Sequence, residues 1–564
     1  MAGSSSSYYS SSSSSSSSLS GQAKDEISLI DKENQIFERL LQVLHHFNLQ
    51  TQLRVAGGWV RDKLLGKDCA DIDIALDDMM GKEFSEKVNE YLSFAGEEIQ
   101  GIAVIQCNPD QSKHLETARM KLFGEWIDFV NLRCETYNKN SRIPTMEFGS
   151  AEQDAYRRDL TINSLFYNIN KKSVEDFTGR GLSDLRSGKI VTPLPPKETF
   201  LDDPLRVLRA IRFGTSSTPF CFIASSLFVL VDAYITECAR FCFELDEELK
   251  EAAASDEVRV ALADKISRER IGHEIDLMIC GKHPVQAMTY VCSLQLFWVV
   301  FPLPSNSAPA VLEGCDRLCI ASVDAAWNLL ELIGCTAFTD EQRRVYLYSA
   351  LFYPLREIVY RDNKGKKIPV ANYIFLNSLK LKVNDSKMVR ADFLLLCYSV
   401  FLLDESFISL IPSLTEIKTA EAGNRREKID VTVTSKPRIC AGLLLREIKS
   451  FWRVALLIST LSYPIDFDRA EVSEDKQLEL GLRRNLFTTV ESAIVRLGLE
   501  NVWEMKPLVN GREIMTILQL KTGGPQVSEW QQKSLEWQLA DPNRTSEQCL
   551  DWMRESHSKR SKLG

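Results

Sequence analysis

The 564-residue chain has no cysteine pair at C-x-x-C spacing, although it carries 14 cysteines; Cys238/Cys242 and Cys315/Cys319 come nearest, and neither has a partner cluster. That excludes a disulfide scaffold and a cysteine zinc site, and it fits free thiols in a reducing compartment. Its six histidines make no ligand motif, and His45-His46 reads as one flank of a helix. No apolar signal core stands at the N-terminus, so secretion is not expected. Internal repeats are missing too. Nor is there an excess of basic charge: 68 Lys and Arg against 77 Asp and Glu leave a net charge of −9. This does not exclude nucleic acid, because phosphate contact needs a local basic face rather than a basic protein.

What is present centres on Leu53 to Leu76, LRVAGGWVRDKLLGKDCADIDIAL. Leu53 and Val55 read as a strand that breaks at Gly57-Gly58. A short amphipathic helix through Val60, Leu64 and Leu65 follows, then a second strand from Asp71 to Leu76. In that strand the alternation puts Asp71 and Asp73 on one face and Ile72 and Ile74 on the other. Two carboxylates side by side repel unless a cation sits between them, and their oxygens suit hard Mg²⁺. The glycines let backbone N–H groups approach an anion at a helix start, and Arg61 adds fixed positive charge. A phosphate cradle and a metal-holding acidic pair in one turn–helix–strand unit point to metal-assisted chemistry on a nucleotide. Singly, a Gly-Gly is ordinarily a turn and a D-x-D strand a solvated edge.

Together, in this order and spacing, these residues resemble the nucleotidyltransferase superfamily that includes DNA polymerase β. The G-G-x-V-R-D form with its D-x-D is similar to class II tRNA nucleotidyltransferases, the CCA-adding enzymes, in their eukaryotic, plant-like type. Two further stretches carry the likeness. Tyr156 to Leu165, YRRDLTINSL, reads as a helix with Leu160, Ile162 and Leu165 on its apolar side. It resembles the family's R-R-D-x-T-x-N-A motif, with Ser164 in place of Ala; the resemblance implies that Arg158 binds triphosphate and that Asp159 and Asn163 see ribose. Arg158 would give forked donors for phosphate, and Asn163 can both donate to and accept from hydroxyls. Asp202-Asp203-Pro204-Leu205-Arg206 opens a helix that carries Arg209 and Arg212 along one winding side. It is close to E-D-x-x-R-x-x-R-A-x-R-F, with Asp202 for Glu. Asp202 is expected to cap the helix, which frees Asp203 to read a base edge with Arg206. The nucleotide-binding set implied is thus Gly57, Gly58, Arg61, Arg158, Asp159, Asn163, Asp203, Arg206, Arg209 and Arg212, with Asp71 and Asp73 catalytic.

Asp128, in the strand-like run EWIDFVNLR, is either a third carboxylate or a surface strand residue. Cys134 to Ala151 shows turn formers without periodicity and reads as a long loop; by resemblance, its Arg142 belongs to the flexible loop that helps switch from C to A addition. The fold class implied is α+β, an N-terminal mixed β-sheet nucleotidyltransferase head followed by an all-α neck, body and tail. Residues 1–26 are serine-rich and expected to be disordered. The head is placed at 27–170, the neck at 171–285, the body at 286–450 and the tail, expected to bind tRNA, at 451–564. Within the neck, 215–238 is apolar and charge-free before Asp232, too short for a membrane span, and reads as an insertion. Everything from Glu247 onward reads as helix. Basic clusters at Lys364 to Lys367 and His557 to Lys562 are solvated faces or RNA backbone contacts.

The resemblance implies addition of C, C and A to tRNA lacking part or all of its 3′-CCA, from CTP and ATP with Mg²⁺ and release of pyrophosphate. The protein is expected as a monomer in cytoplasm and nucleus, with mitochondrial or plastid targeting left open. A poly(A) polymerase of the same class shares these motifs, and a weakened tRNA-binding protein would follow if the insertion spoiled the neck.

Overall fold

A computed structural model describes residues 24, 26–69, 71–105, 117–136, 145–215, 243–381, 406–415, 431–464 and 476–561. Arg142 and 216–242, which make up nearly all of the expected insertion, lie outside the described residues, as do nearly all of the serine-rich stretch and Lys562. The chain forms two compact units that divide between Ile266 and Ser267, inside the span expected for the neck.

The first unit is built on a seven-stranded mixed sheet. Its strands are β1 (Leu53–Ala56), β2 (Ile72–Leu76), β3 (Ile102–Ile105), β4 (Thr117–Leu122), β5 (Glu125–Asn131), β8 (Phe166–Asn168) and β9 (Ser173–Glu175), in the order β3-β4-β5-β2-β1-β8-β9. Only β2 and β5 run parallel, because the chain leaves β2 through a helix and a hairpin before returning beside it. That helix, α3 (Gly81–Phe94), packs Phe84 edge-on to Phe129 of β5, ring centres 5.2 Å apart. Helix α1 (Asp31–His46) buries Ile36, Phe37, Leu40, Val43 and Leu44, a stripe at helical spacing. It starts at Asp31, where Glu33 accepts from the backbone N–H of Ile30.

Between the sheet and its last strands, β6 (Arg133–Thr136) pairs with β7 (Thr145–Phe148). The expected structureless loop from Cys134 to Ala151 is corrected here: both ends are strand, because the ladder from Arg133↔Phe148 to Thr136↔Thr145 satisfies backbone groups that sequence periodicity could not reveal. Helix α4 (Ala151–Tyr156) stops where the expected helix begins, and 157–160 lead into a 3₁₀ turn at Thr161–Asn163. The single helix expected over 156–165 is thus overturned. Leu160, Ile162 and Leu165 are all fully buried, which no continuous helical face allows with this spacing. After α5 (Gly181–Ser187), α6 (Pro196–Asp202) and α7 (Leu205–Thr215) frame the site. Asp246 caps the helix Glu247–Ala253 by accepting from Glu248 N–H, as its sequence position suggests.

Among its described residues the second unit is helical apart from one hairpin, Val359–Arg361 with Lys367–Pro369, which corrects the all-helix reading. Its turn carries the basic cluster, and Asp362 accepts from the N–H groups of Lys364 and Lys366. Tyr346, Tyr348, Phe352 and Phe375 fill the core. Gly272, on the helix Arg268–Ile279, packs against the chain turn at Leu379 so closely that an added Cβ would overlap the Leu379 carbonyl. Gly272→Ala is therefore expected to destabilise this unit by about 2–3 kcal/mol through overpacking of backbone that cannot yield, read as a fall in the urea midpoint. A midpoint equal to the parent's would show that the helix can slide. No helix among the described residues is long and apolar enough to cross a membrane.

Candidate active site

β1 delivers the chain to Gly57, whose N–H donates to the Leu165 carbonyl and whose φ of +74° suits glycine. Helix α2 (Gly58–Leu64) then begins, and Gly57 accepts from Arg61 N–H. With seven residues its dipole is small, so the cradle owes its positive field to side chains. A Cβ on Gly57 would lie 2.8 Å from an Arg158 Nη1, so the glycine is what lets that guanidinium close over the turn. α2 is pinned from behind by a buried pair: Lys63 Nζ lies 2.8 Å from Glu33 of α1, which also accepts from the Trp59 indole N–H at 3.2 Å.

Arg61 and Arg158 converge on Asn163. Arg61 donates to Asn163 Oδ1 at 2.6 Å while gripping Asp62 through two bonds of 2.9 Å. Arg158 donates to the Asn163 backbone carbonyl at 3.3 Å, and its Nε and Nη2 hold Asp154 at 2.9 and 2.7 Å. Asn163 Nδ2 donates to Asp159, whose other oxygen takes Arg209 at 2.6–2.7 Å. Burial pushes the Asp159 carboxyl up, but Arg209 and Asn163 outweigh it and hold the group at about 2. Asp159 and Asn163, expected at ribose, therefore tie Arg61 of α2 to Arg209 of α7. The three arginines of α7 do not form a solvated stripe: Arg206 is buried and donates to the Arg157 carbonyl at 2.8 Å, and Arg212 stacks on Phe213, 4.3 Å from its ring centre. Arg61 and Arg209 face the same ring, at 4.8 and 5.6 Å. Cation–π attraction thus sets three like charges around one ring.

Opposite lies the acidic face. Asp73 and Asp128 are directly paired residues on β2 and β5, and one oxygen from each of Asp71, Asp73 and Asp128 lies within 4.8 Å of the others. The reading of Asp128 as a third carboxylate matches this placement. Burial, followed by the charges of Asp71 and Asp128, pushes the Asp73 carboxyl up to about 6, with Arg158 and Arg119 pulling the other way. Three converging carboxylates whose own repulsion raises one of them form an all-oxygen donor set that fits a hard divalent cation such as Mg²⁺.

At the head of α7 the expectation fails. Asp203 is extended and its Oδ1 accepts from Leu205 N–H at 3.2 Å, so Asp203 is the cap; Asp202 ends α6 and cannot be. Pro204, between α6 and α7, separates the two helices. Sequence reasoning also missed Asp154. Fully buried, it takes forks from both Arg157 and Arg158; burial would push its carboxyl up, but Arg158 and Arg157 hold it below the usual range. Its position three and four residues before the arginines was the available signal. Glu135, which pairs with Arg157 at 2.9 Å, had none, because it lies in the segment read as loop.

A carboxylate triad on a mixed sheet, facing arginines gathered at a Gly-Gly turn, defines a nucleotidyl-transfer head. The Poly A polymerase head domain family matches residues 53–191. The mitochondrial CCA tRNA nucleotidyltransferase of Saccharomyces cerevisiae is 33% identical, over 93% of this chain and 92% of its own length. The tRNA nucleotidyltransferase cca2 of Schizosaccharomyces pombe is 31% identical, over 89% and 92%. The crystal structure of the Bacillus stearothermophilus CCA-adding enzyme in complex with CTP shares the fold at a TM-score of 0.56 and 17% identity, over 95% of this chain and 100% of that one. The chain belongs to the CCA tRNA nucleotidyltransferase family.

Proposed function

We propose that this protein adds C, C and A to the 3′ end of tRNA, taking CTP and ATP and releasing pyrophosphate. The observation that carries the reading is the triad of Asp71, Asp73 and Asp128 held across from Arg61 and Arg158, in a chain matched nearly end to end by its relatives. Asp71 and Asp73 would hold Mg²⁺, which when bound supplies the charge that lowers the pKa of the tRNA 3′-hydroxyl and neutralises the departing pyrophosphate. Arg61, Arg158 and the bare Gly57-Gly58 turn receive the triphosphate, with forked donors suited to its oxygens. Asp154 orients Arg158, and the Asn163–Asp159–Arg209 chain fixes the distance between α2 and α7. A monomer is the expected state. Presence in mitochondria is supported by the mitochondrial name of the yeast relative, and cytoplasm and nucleus are the further expected sites.

Choice of C and A is assigned to Asp203 and Arg206 at the start of α7. Cytosine and adenine each present an exocyclic amine beside a ring-nitrogen acceptor. A carboxylate accepts from either amine and a guanidinium donates to either nitrogen. Uracil and guanine put a carbonyl oxygen against the carboxylate, and each leaves a buried acceptor unpaired at a cost of roughly 1–3 kcal/mol. Asp203→Ala is expected to lose the cap, about 1 kcal/mol, and to raise UTP and GTP incorporation by at least roughly tenfold relative to CTP and ATP. If the variant still excludes UTP as the parent does, Asp203 is a cap alone and selection lies elsewhere. In parallel, supplying each NTP singly with tRNA ending before its CCA tests the activity itself: two C residues are expected from CTP alone.

A further inference from the structure

The established motifs leave one charged residue of the site unused. Arg119 of β4 is paired across the ladder with Asp128, which is itself paired with Asp73, so Asp73, Asp128 and Arg119 stand in one row on three adjacent strands. The Arg119 guanidinium forks onto both oxygens of Asp128, at 2.5 and 2.6 Å. The Arg119 side chain is 42% exposed and that of Asp128 15%, and the β4–β5 ladder that surrounds the pair already joins the strands. A pair whose basic partner lies in solvent nevertheless occupies the third carboxylate of a triad whose other two members carry no such fork among the described residues.

We propose that Arg119 is the positioning residue and resident counter-cation of the acidic site, keeping divalent-ion binding weak until a nucleotide arrives. A fork uses one lone pair on each Asp128 oxygen and leaves the outward pairs to face Asp71 and Asp73. Asp128 is thereby aimed at the ion position. At the same time a full positive charge beside the triad reduces its net charge from −3 to −2 and opposes any incoming dication. A nucleotide triphosphate, held by Arg61 and Arg158, brings the negative charge that restores the attraction. Metal loading is then coupled to nucleotide binding, and the free enzyme does not hold its ions idle. This rests on the nucleotidyl-transfer reading of the site.

The test is Mn²⁺ titration of the full chain, followed by the paramagnetic resonance signal of the free ion, with and without CTP and without tRNA. Arg119→Gln is expected to bind Mn²⁺ about fivefold tighter or more in the absence of CTP, and to gain less than the parent when CTP is added. Arg119→Lys, which retains charge but not the fork, should stay near the parent without CTP. Equal or weaker Mn²⁺ binding by the Gln variant overturns the proposal while leaving the function intact. Absence of Mn²⁺ binding by the parent even with CTP overturns both.

Discussion

Asp71→Ala is expected to lower nucleotide incorporation by roughly 10³-fold or more, the equivalent of losing several kcal/mol of transition-state charge stabilisation, while tRNA affinity stays within about twofold. The asymmetry follows from where the residue sits. Asp71 is exposed at the entry of β2, and its carboxylate meets Asp73 and Asp128 within the same 4.8 Å span. Removing it strips a ligand from the site without opening a cavity. Asp73→Asn provides the matching control. Asp73 is half-buried, and burial first, then the neighbouring carboxylates, disfavour its charge. Making it neutral should leave the thermal midpoint in chelator equal to or above the parent's while abolishing activity. An Asp71→Ala enzyme with parent-like turnover would remove the metal-site mechanism. A large drop in the midpoint of Asp73→Asn would mean that this carboxylate serves the fold.

The second large effect is expected at the turn. Gly57→Ala forces a side chain into a φ of +74°, at about 1–2 kcal/mol, and drives its Cβ to 2.8 Å from the Arg158 guanidinium. The arginine must leave its seat on Asp154 and Asn163, so the KM for both CTP and ATP should rise at least roughly tenfold. Arg158→Lys tests the same contact from the other side: charge remains, but the fork that holds Asp154 and offers phosphate donors is lost. Its KM should rise for both nucleotides alike, because neither substitution touches base selection. An unchanged KM for CTP and ATP in both variants would place the triphosphate elsewhere.

Much of this site is legible in the sequence because its parts are local. Gly57-Gly58, Arg61, Asp71 and Asp73 fall within one turn–helix–strand unit, and period-two alternation suffices to put Asp73 on the acidic face. Asp128 needed only its own strand period, with the parallel pairing to β2 supplied by the fold. What failed was set by tertiary partners. The run 156–165 looks helical, yet Leu160, Ile162 and Leu165 are drawn into the core together while Arg157 and Arg158 are pulled back onto Asp154. The capping role passed from Asp202 to Asp203 because Pro204 separates two helices where the sequence suggested the start of one. Asp159 and Asn163, expected at ribose, also bond Arg209 and Arg61, partners 50 and 102 residues away in the chain that the sequence did not reveal. Such pairings leave no periodic trace. Arg119 escaped for the same reason, since its meaning depends on a strand neighbour.

The most direct measurement is the sequence of the 3′ ends formed when the purified protein meets tRNA ending before its CCA, with all four nucleotides present at equal concentration. Ends that read CCA and stop there are expected, with UMP and GMP rare. Homopolymeric A tails would instead identify a poly(A) polymerase, and unextended tRNA would identify a binding protein without the reaction; either result contradicts the account.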